Sequence, residues 1–222
     1  MKVSVTLFLI LCLLPSAVLA QHPMYIGGLG GLATLSGDGR AVVSPSSVGT
    51  SLYDPQNGGA ASLFFGVHFF KYVSFQGNYL WNRNDVTLVS SLSNSGASSF
   101  YQEPVSGTQN GLTGDVLVYF RKRESRIRPY LSEGAGAVHI SSRVTGSPLS
   151  SGNLLQPPGP SSSTFPATRT SVGLDVRLQP GWYLRYTFGE TISHNPISAQ
   201  LSPAGQRLLK NFQNLFGIYR TF

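Results

Sequence analysis

Two stretches of alternating apolar and polar residues meet at a Pro-Gly pair in residues 168–188, TRTSVGLDVRLQPGWYLRYTF. Alternation with a period of two is typical of a β-strand that has one apolar and one polar face. Gly181 can adopt the positive φ that a tight turn between two such strands requires. Antiparallel pairing about Pro180 then sets Asp175 opposite Arg185. The pattern predicts a β-hairpin with an ion pair on its polar face.

The environment of the two faces distinguishes the possible folds. In a soluble sandwich or lipocalin-like barrel, the apolar face packs inside and Asp175 and Arg185 face water. In a membrane barrel, Leu174 and Tyr186 face lipid, and the charged residues line a polar lumen. The hairpin alone is compatible with either fold, so the rest of the chain has to decide.

Other segments show the same alternation. Residues 63–81 form a second hairpin, with apolar residues at the odd positions of both arms. A third pair joins Leu112–Phe120 to Pro129–Ile140, and single strands are predicted at Met24–Leu35 and Leu209–Phe222. In the Pro129–Ile140 segment both faces carry small residues, and we expect Glu133 to point inward because a charge facing hydrocarbon is unfavourable. The count is eight strands.

The connections between these strands alternate between short and long. The long ones are rich in Gly, Ser, Asn and Pro, and they cover residues 36–59, 83–111, 141–167 and 190–208. Strict alternation places every long connection at one end and both chain termini at the other. The sequence therefore predicts an all-β fold: an eight-stranded antiparallel up-and-down transmembrane β-barrel with short periplasmic turns and four long extracellular loops.

The N-terminus indicates export. Residues 1–20 have a basic start, an apolar centre and small residues before a cleavage site between Ala20 and Gln21, as a secretory signal peptide has. Residues 21–222 are then expected to form one barrel domain, without a cysteine because Cys12 is removed. The net charge of +7 is compatible with nucleic-acid binding. Export, however, makes membrane lipid and lipopolysaccharide the expected anionic partners, and no nucleic acid is expected.

Several segments resemble the OmpA-like eight-stranded outer-membrane β-barrel family. They are Arg-Pro-Tyr-Leu at 128–131 with Gly-Ala-Gly at 134–136, the strand Val-Gly-Leu-Asp-Val-Arg at 172–177, and Phe222 after an aromatic-rich strand. The resemblance implies a monomer in the outer membrane of a Gram-negative-type bacterium, inserted by the outer-membrane assembly machinery, which reads the last strand up to Phe222. It covers the barrel only, so no periplasmic peptidoglycan-binding domain is implied. Asn214 and Arg220 depart from the apolar pattern of the last strand.

A set of charged residues is predicted to line the lumen. An eight-stranded barrel is just wide enough for side chains to fill it, and buried charges must be paired. We expect Asp175 to pair with Arg185, and Glu133 to pair with Arg177 or Arg169. The role of this network is either structural or that of a gate on a narrow ion path. The predicted lumen residues are Asp115, Glu133, Arg169, Asp175, Arg177 and Arg185.

Evidence for chemistry in the sequence is weak. His139 precedes Ser141 and Ser142 and follows Glu133 by six residues, so a catalytic Ser/His/Glu set of a lipid-modifying enzyme can be imagined, but this spacing is unremarkable in a serine-rich chain. No cluster has the spacing of metal ligands, and no cofactor is expected. A basic patch is predicted on the turn that follows the fourth strand, formed by Arg121, Lys122, Arg123, Arg126 and Arg128.

The sequence therefore favours a non-enzymatic outer-membrane protein whose polar lumen is plugged. Its expected role is structural, or an interaction with a host or surface ligand through the long loops. The alternative is a narrow channel for ions or small solutes, and a lipid-modifying enzyme is a third class. Fold alone does not fix function, so these alternatives stay open at this level.

Overall fold

The computed structural model describes residues 23–222, so the predicted signal peptide and its cleavage site at Ala20 and Gln21 lie outside the described residues. The described chain is antiparallel β-structure with a single short 3-10 helix, η1, at Ser198–Gln200. No helix within residues 23–222 is long and apolar enough to cross a membrane. The strands are β1 Met24–Leu35, β2 Asp38–Ser44, β3 Ser47–Pro55, β4 Gly58–His68, β5 Val73–Asn94, β6 Ala97–Tyr119, β7 Ile127–Val144, β8 Leu149–Ser151, β9 Ser162–Gln179, β10 Trp182–His194 and β11 Leu208–Thr221.

Eight of these strands pair in chain order around a ring. The order is β1, β4, β5, β6, β7, β9, β10 and β11, and β11 pairs antiparallel with β1, so every strand of the ring has two neighbours. Short turns at residues 69–72, 120–126 and 180–181 lie at one end of the barrel, called here the turn end. The remaining connections lie at the opposite end, the loop end. The predicted eight-stranded up-and-down barrel is confirmed.

The wall alternates as a closed barrel requires. Successive side chains along each ring strand point alternately into the lumen, where they are buried, and outward, where they are exposed. The outward residues between the turn end and the middle of the wall are apolar and form a continuous band, and the inward set is rich in Asn, Gln, Ser, Thr, Tyr and Arg. Members of the outward band include Leu63, Phe65, Phe75, Leu112, Leu131, Val172, Phe216 and Ile218.

The hairpin of β9 and β10 has the predicted register. Asp175 pairs with Arg185 and Leu174 with Tyr186, and Gly181 has φ +80°. The one irregularity is a shift next to Trp182, which pairs with Gln179 at the turn. The polar face of this hairpin points into the lumen, and the apolar face points outward.

The predicted inward orientation of Glu133 is wrong. Glu133 is exposed on the outer wall of β7, and Tyr130, Ser132 and Val138 are the buried, inward residues of that strand. The neighbouring strand fixes this choice, because Asp115 of β6 points inward and lies opposite Gly134 rather than Glu133. A Cβ at Gly134 would overlap the Asp115 carboxylate, so this inward position has to be glycine.

Two loop-end connections are strands rather than irregular loops. β5 and β6 continue past the ring to a turn at Ser95 and Gly96, and β3 pairs with residues 86–94 of β5. On the other side, β8 pairs with residues 100–102 of β6. We call the resulting assembly the loop sheet: β2, β3, residues 86–94, residues 97–105 and β8. It extends the barrel wall beyond the apolar band.

Candidate functional site in the barrel lumen

The centre of the lumen is an ion pair between β9 and β10. The Arg185 guanidinium donates from Nε to Asp175 Oδ1 at 2.6 Å and from Nη2 to Asp175 Oδ2 at 2.8 Å. Arg185 is 1% exposed and Asp175 is 0% exposed. A bidentate pair of this kind is stronger and more directional than a neutral hydrogen bond. It forms because the two residues are direct cross-strand neighbours on the inward face.

Polar side chains from four other strands complete this pair. The hydroxyls of Tyr119 and Tyr219 donate to Asp175 Oδ2 at 3.2 and 2.8 Å, and Arg185 Nη1 donates to Gln76 Oε1 at 2.6 Å. The Tyr25 hydroxyl donates to the same Gln76 oxygen at 3.0 Å. Asp175 thus accepts four hydrogen bonds, so its charge is fully compensated without water.

Aromatic rings enclose the Arg185 guanidinium. Its Cζ lies 4.6 Å from the ring centroid of Tyr219, 4.8 Å from that of Phe64 and 4.9 Å from that of Tyr130. Cations are attracted to the faces of such rings. Tyr219 also stacks on Tyr183, with centroids 4.8 Å apart, inside the lumen. The rings and the ion pair together fill the cross-section of the barrel at this level.

A second ion pair lies across the lumen. Arg169 of β9 donates from Nη1 to Asp115 Oδ2 of β6, and both side chains are buried. The alternation in the sequence predicts that both residues line the lumen, but it does not predict that they pair with each other. The register separates them by an intervening strand, β7, whose inward position between them is Gly134. This glycine leaves the space that the Arg169 side chain crosses.

Glu133 differs from its predicted role. Glu133 pairs with neither Arg169 nor Arg177, and instead its Oε2 accepts a 2.5 Å hydrogen bond from Thr170 Oγ1 on the outer wall. Its row continues through Thr170 to Glu190, so polar side chains lie beside it on the outer wall. The hydrogen bond from Thr170 compensates part of the hydration that the outward carboxylate loses.

Arg177 is half-buried near the turn end, and Arg128 is not part of a surface patch. Arg128 is 1% exposed and lies inside the lumen, directly across from Asp175. The basic residues that precede it in the sequence predict instead a place in the basic turn. Arg128 and Tyr130 are two residues apart on β7 and therefore lie on the same face, so an inward Tyr130 implies an inward Arg128. The network also includes four residues that the sequence pattern does not predict as members: Tyr25, Gln76, Tyr119 and Tyr219.

At the loop end the lumen is closed by apolar residues. Ile197 and Leu201 on either side of η1, together with Leu155, pack against inward residues of the wall such as Leu88 and Ile140. Below them lies a layer of amides, in which Asn211 Nδ2 donates to Asn82 Oδ1 and Gln109 Oε1 at 2.9 Å each. The lumen therefore has an apolar cap, an amide layer and two ion pairs along its length.

The imagined catalytic set is not assembled as a triad. His139 lies on the outer wall, where its Nδ1 is 2.9 Å from Thr164 Oγ1 and its Nε2 is 3.2 Å from Ser162 Oγ. Ser142 instead bonds with residue 161, and Glu133 bonds with Thr170. Among residues 23–222, hydroxyl groups rather than a carboxylate contact the imidazole. Within residues 23–222, no cluster of three or more His, Cys, Asp or Glu could hold a metal ion.

One buried carboxylate lies in the loop sheet. Glu103 is 4% exposed, and its Oε2 has no hydrogen-bond partner within the described residues. It faces the interior beside Leu88 of the paired strand. Burial raises the pKa of the Glu103 carboxyl above its ordinary value, because the charged form loses its hydration.

The last strand keeps its predicted departures from an apolar pattern. Arg220 is exposed next to the turn end, and its Cζ lies 5.5 Å from the Trp182 ring and 5.2 Å from the Phe222 ring. The Phe222 amide donates to the Met24 carbonyl at 2.9 Å. The role of Phe222 in assembly stays a prediction.

Comparisons with known proteins agree with this architecture. Residues 3–207 match the family model of the outer membrane protein beta-barrel domain. Among solved structures, Neisserial surface protein A aligns over 90% of this chain and 97% of its own, with a TM-score of 0.53 and 10% identity. OprG of Pseudomonas aeruginosa (90% and 95%, TM-score 0.48, 12% identity) and Ail, the attachment invasion locus protein of Yersinia pestis (90% and 98%, TM-score 0.45, 11% identity), also align.

No curated protein sequence matches the chain significantly. The family model nevertheless spans most of the barrel, and the lipid-facing band and the closed ring are those of a membrane-spanning barrel. The turn end is therefore the periplasmic end, and the loop end is extracellular. The chain belongs to the outer membrane protein β-barrel family and lies in the outer membrane of a Gram-negative bacterium.

Proposed function

We propose that this protein is a non-enzymatic surface-interaction barrel that holds the loop sheet outside the cell and binds a surface ligand through it. The observation that carries the proposal is the length of β5 and β6. These strands have 22 and 23 residues, whereas about 9 to 11 residues cross the membrane. The excess forms an ordered sheet rather than mobile loops.

The loop sheet is fixed by the chain between β10 and β11. Ser51 Oγ donates to the Pro203 carbonyl at 2.7 Å, and Arg40 Nη1 donates to the Ala204 carbonyl at 3.1 Å. Ser198 Oγ donates to Asp38 Oδ2 at 2.8 Å. These bonds tie the β2–β3 hairpin to the η1 connection. A surface ordered in advance binds with a smaller entropic cost than a flexible loop does.

The exposed side of the loop sheet carries apolar residues outside the lipid-facing band. Val43 of β2 is 74% exposed and Leu149 of β8 is 64% exposed, at opposite edges of the sheet. β2 is an edge strand, with unpaired backbone groups along one side. Apolar side chains beside free backbone groups are typical of a site that accepts a partner protein.

The packing of the lumen supports a barrel that does not conduct. The Arg185–Asp175 pair and the surrounding rings occupy its cross-section, and an apolar cap lies above. The channel alternative is tested by the conductance of the purified protein in planar bilayers. We expect a silent bilayer, and discrete single-channel openings that change with Arg185→Met would favour the channel.

In the described part of the chain His139 contacts the hydroxyls of Thr164 and Ser162 rather than a carboxylate, which supports a non-enzymatic role. We expect no mass change in outer-membrane lipids when the protein is expressed, with or without His139→Ala. A lipid mass shift that His139→Ala abolishes would favour the lipid-modifying enzyme.

Binding is tested with bacteria that display the protein. Adherence to epithelial monolayers, to immobilised laminin and fibronectin, and to other cells of the same strain should fall at least several-fold for Val43→Asp. Asn57→Asp, which adds the same charge at an exposed position between β3 and β4, outside the loop sheet, is the matched control and should adhere as wild type does. Equal adherence of wild type and of a barrel whose residues 38–54 are replaced by a short linker would refute the proposal.

A further inference from the structure

Arg128 is a buried cation that forms no ion pair within the described residues. Its side chain is 1% exposed in the lumen near the periplasmic turn end, and its Nε and Nη1 are buried without a hydrogen bond to any described residue. The guanidinium lies over the face of the Tyr119 ring, whose centroid lies 3.8 Å from Cζ. A buried guanidinium without compensation is expensive, because it has lost its hydration and gained no counter-charge.

The nearest carboxylate cannot serve Arg128. Asp175 lies directly across the strand pair, but both its oxygens are taken by Arg185, Tyr119 and Tyr219. Asp115, the other acid described in the membrane-spanning part of the lumen, is paired with Arg169. At the turn end, therefore, two buried guanidiniums face one carboxylate.

The mouth of the barrel beside Arg128 is also cationic. Arg123 on the turn is half-buried, and Arg123 and Arg128 both lie close enough to the buried imidazole of His68 to interact with it electrostatically. The turn that forms this rim, residues 120–126, has four basic residues and one acidic residue. A concave region lined by one sign of charge raises the local concentration of ions of the opposite sign.

We propose that Arg128 is the centre of an anion-binding site at the periplasmic mouth of the lumen, and that this site takes a phosphate group. A guanidinium offers five N–H donors in a fixed plane, which suits the several oxygens of a phosphate. The phosphate comes either from inorganic phosphate or from the headgroup of an inner-leaflet phospholipid, because the rim lies at the level of those headgroups. The site is independent of the loop sheet and of whatever the loop sheet binds.

The test is the thermal unfolding midpoint of the folded barrel, read from its mobility on gels without boiling. Wild-type protein in neutral detergent is compared in sodium phosphate and in sodium chloride at matched ionic strength. We expect a saturable rise of about 5 to 10 °C at a hundredfold excess of phosphate over its Kd. Isothermal titration with phosphate should give one site per chain.

The decisive variant is Arg128→Gln. It should abolish the response to phosphate, and in chloride its midpoint should be no lower than that of wild type, because the uncompensated charge has been removed. A purely structural arginine would instead lower the midpoint in both salts. Arg143→Gln removes one exposed charge at the opposite, loop end of β7 and should keep the full response. If Arg128→Gln does not fold, Arg128→Lys should retain a weakened response.

Reconstitution distinguishes the two sources of phosphate. In phosphatidylcholine vesicles, inorganic phosphate should stabilise the wild type as it does in detergent. If a lipid headgroup fills the site, adding phosphatidylglycerol should raise the wild-type midpoint but not that of Arg128→Gln, and should suppress the response to inorganic phosphate. Equal midpoints of the wild type in phosphate and chloride in detergent, or an equal response of wild type and Arg128→Gln, would overturn the proposal.

Discussion

The substitution Asp175→Asn isolates the central ion pair of the lumen. Asparagine has nearly the same shape as aspartate but carries no charge, so Arg185 would keep its hydrogen bond to Gln76 and its aromatic neighbours while losing its counter-ion. Neither residue can be rehydrated without opening the barrel, since Asp175 is 0% exposed and Arg185 is 1% exposed. Removing one partner of such a buried pair costs about 3 to 5 kcal/mol.

This cost corresponds to a decrease of roughly a hundredfold to several thousandfold in the folding equilibrium constant. It is measured by urea unfolding of protein refolded into phosphatidylcholine vesicles. Fluorescence of Trp81 and Trp182, which lie on the outer wall, reports insertion, and heat-modifiable gel mobility reports barrel closure. The two signals should fall together if unfolding is two-state.

A double-mutant cycle separates the pair from its surroundings. Arg185→Met removes the cation, and the double variant removes both charges. Because the double variant leaves no buried charge at this position, it should be less destabilised than the sum of the single variants, by about 1 to 3 kcal/mol. A cost of Asp175→Asn below about 1 kcal/mol, or additive single variants, would refute the claim that this pair is desolvated and mutually compensated.

Three further predictions concern the wall and the loop sheet. Gly66→Ala places a Cβ where a lumen tyrosine ring lies, and should lower the free energy of unfolding in the same urea assay by about 1 to 3 kcal/mol. Gly30→Ala has open space on the outer wall, so its free energy of unfolding should stay within about 0.5 kcal/mol of wild type. Glu133→Leu should lower the free energy of unfolding by less than about 1 kcal/mol, because the side chain faces outward. Asp115→Leu should lower it by about 3 kcal/mol or more, because it leaves the buried Arg169 without its counter-ion. Similar losses for both variants would indicate that Glu133 faces the lumen. Because the pKa of Glu103 is raised in the folded loop sheet, that sheet should be most stable below the ordinary carboxyl pKa and lose stability as the pH rises through the raised value. Amide hydrogen exchange of residues 86–105, corrected for intrinsic rates, should show this dependence. The variant Glu103→Gln should abolish it.

The hairpin that contains Asp175 could be read from the sequence because its two faces differ strongly in polarity. With such contrast, a one-residue slip would expose every apolar side chain of the strand to the wrong side, so the register is well determined. β7 lacks this contrast. Small residues occupy both of its faces, and hydropathy alone could not orient Glu133. The orientation of β7 is determined by its register with β6, and the sequence of β7 alone does not encode that register.

The loop sheet was not predicted for a related reason. Residues 86–105 have apolar residues at alternate inward positions, including Val86, Leu88 and Val105, but serine and asparagine between them resemble loop composition. Gly96, with φ +103°, marks the tip of the hairpin and is the local signal that could have revealed it. The pairings within the lumen depend on which strands face each other across the barrel, and no local pattern encodes that.

The ion pairs and the apolar cap of the lumen both contribute to the support of the loop sheet. The ion pairs lie in the membrane-spanning part, where water is scarce and mismatched register would strand a charge, so they favour one register of the ring over its alternatives. The apolar cap at the loop end has no such directional demand, but Ile197 and Leu201 join the η1 connection to the wall that β5 and β6 continue upward. The η1 connection in turn bonds to β2 and β3. The loop sheet is therefore supported by three successive layers: the ring strands in fixed register, the apolar cap, and the hydrogen bonds of the η1 connection. Substitutions that destabilise the cap should weaken ligand binding by the loop sheet, although the cap does not contact the ligand.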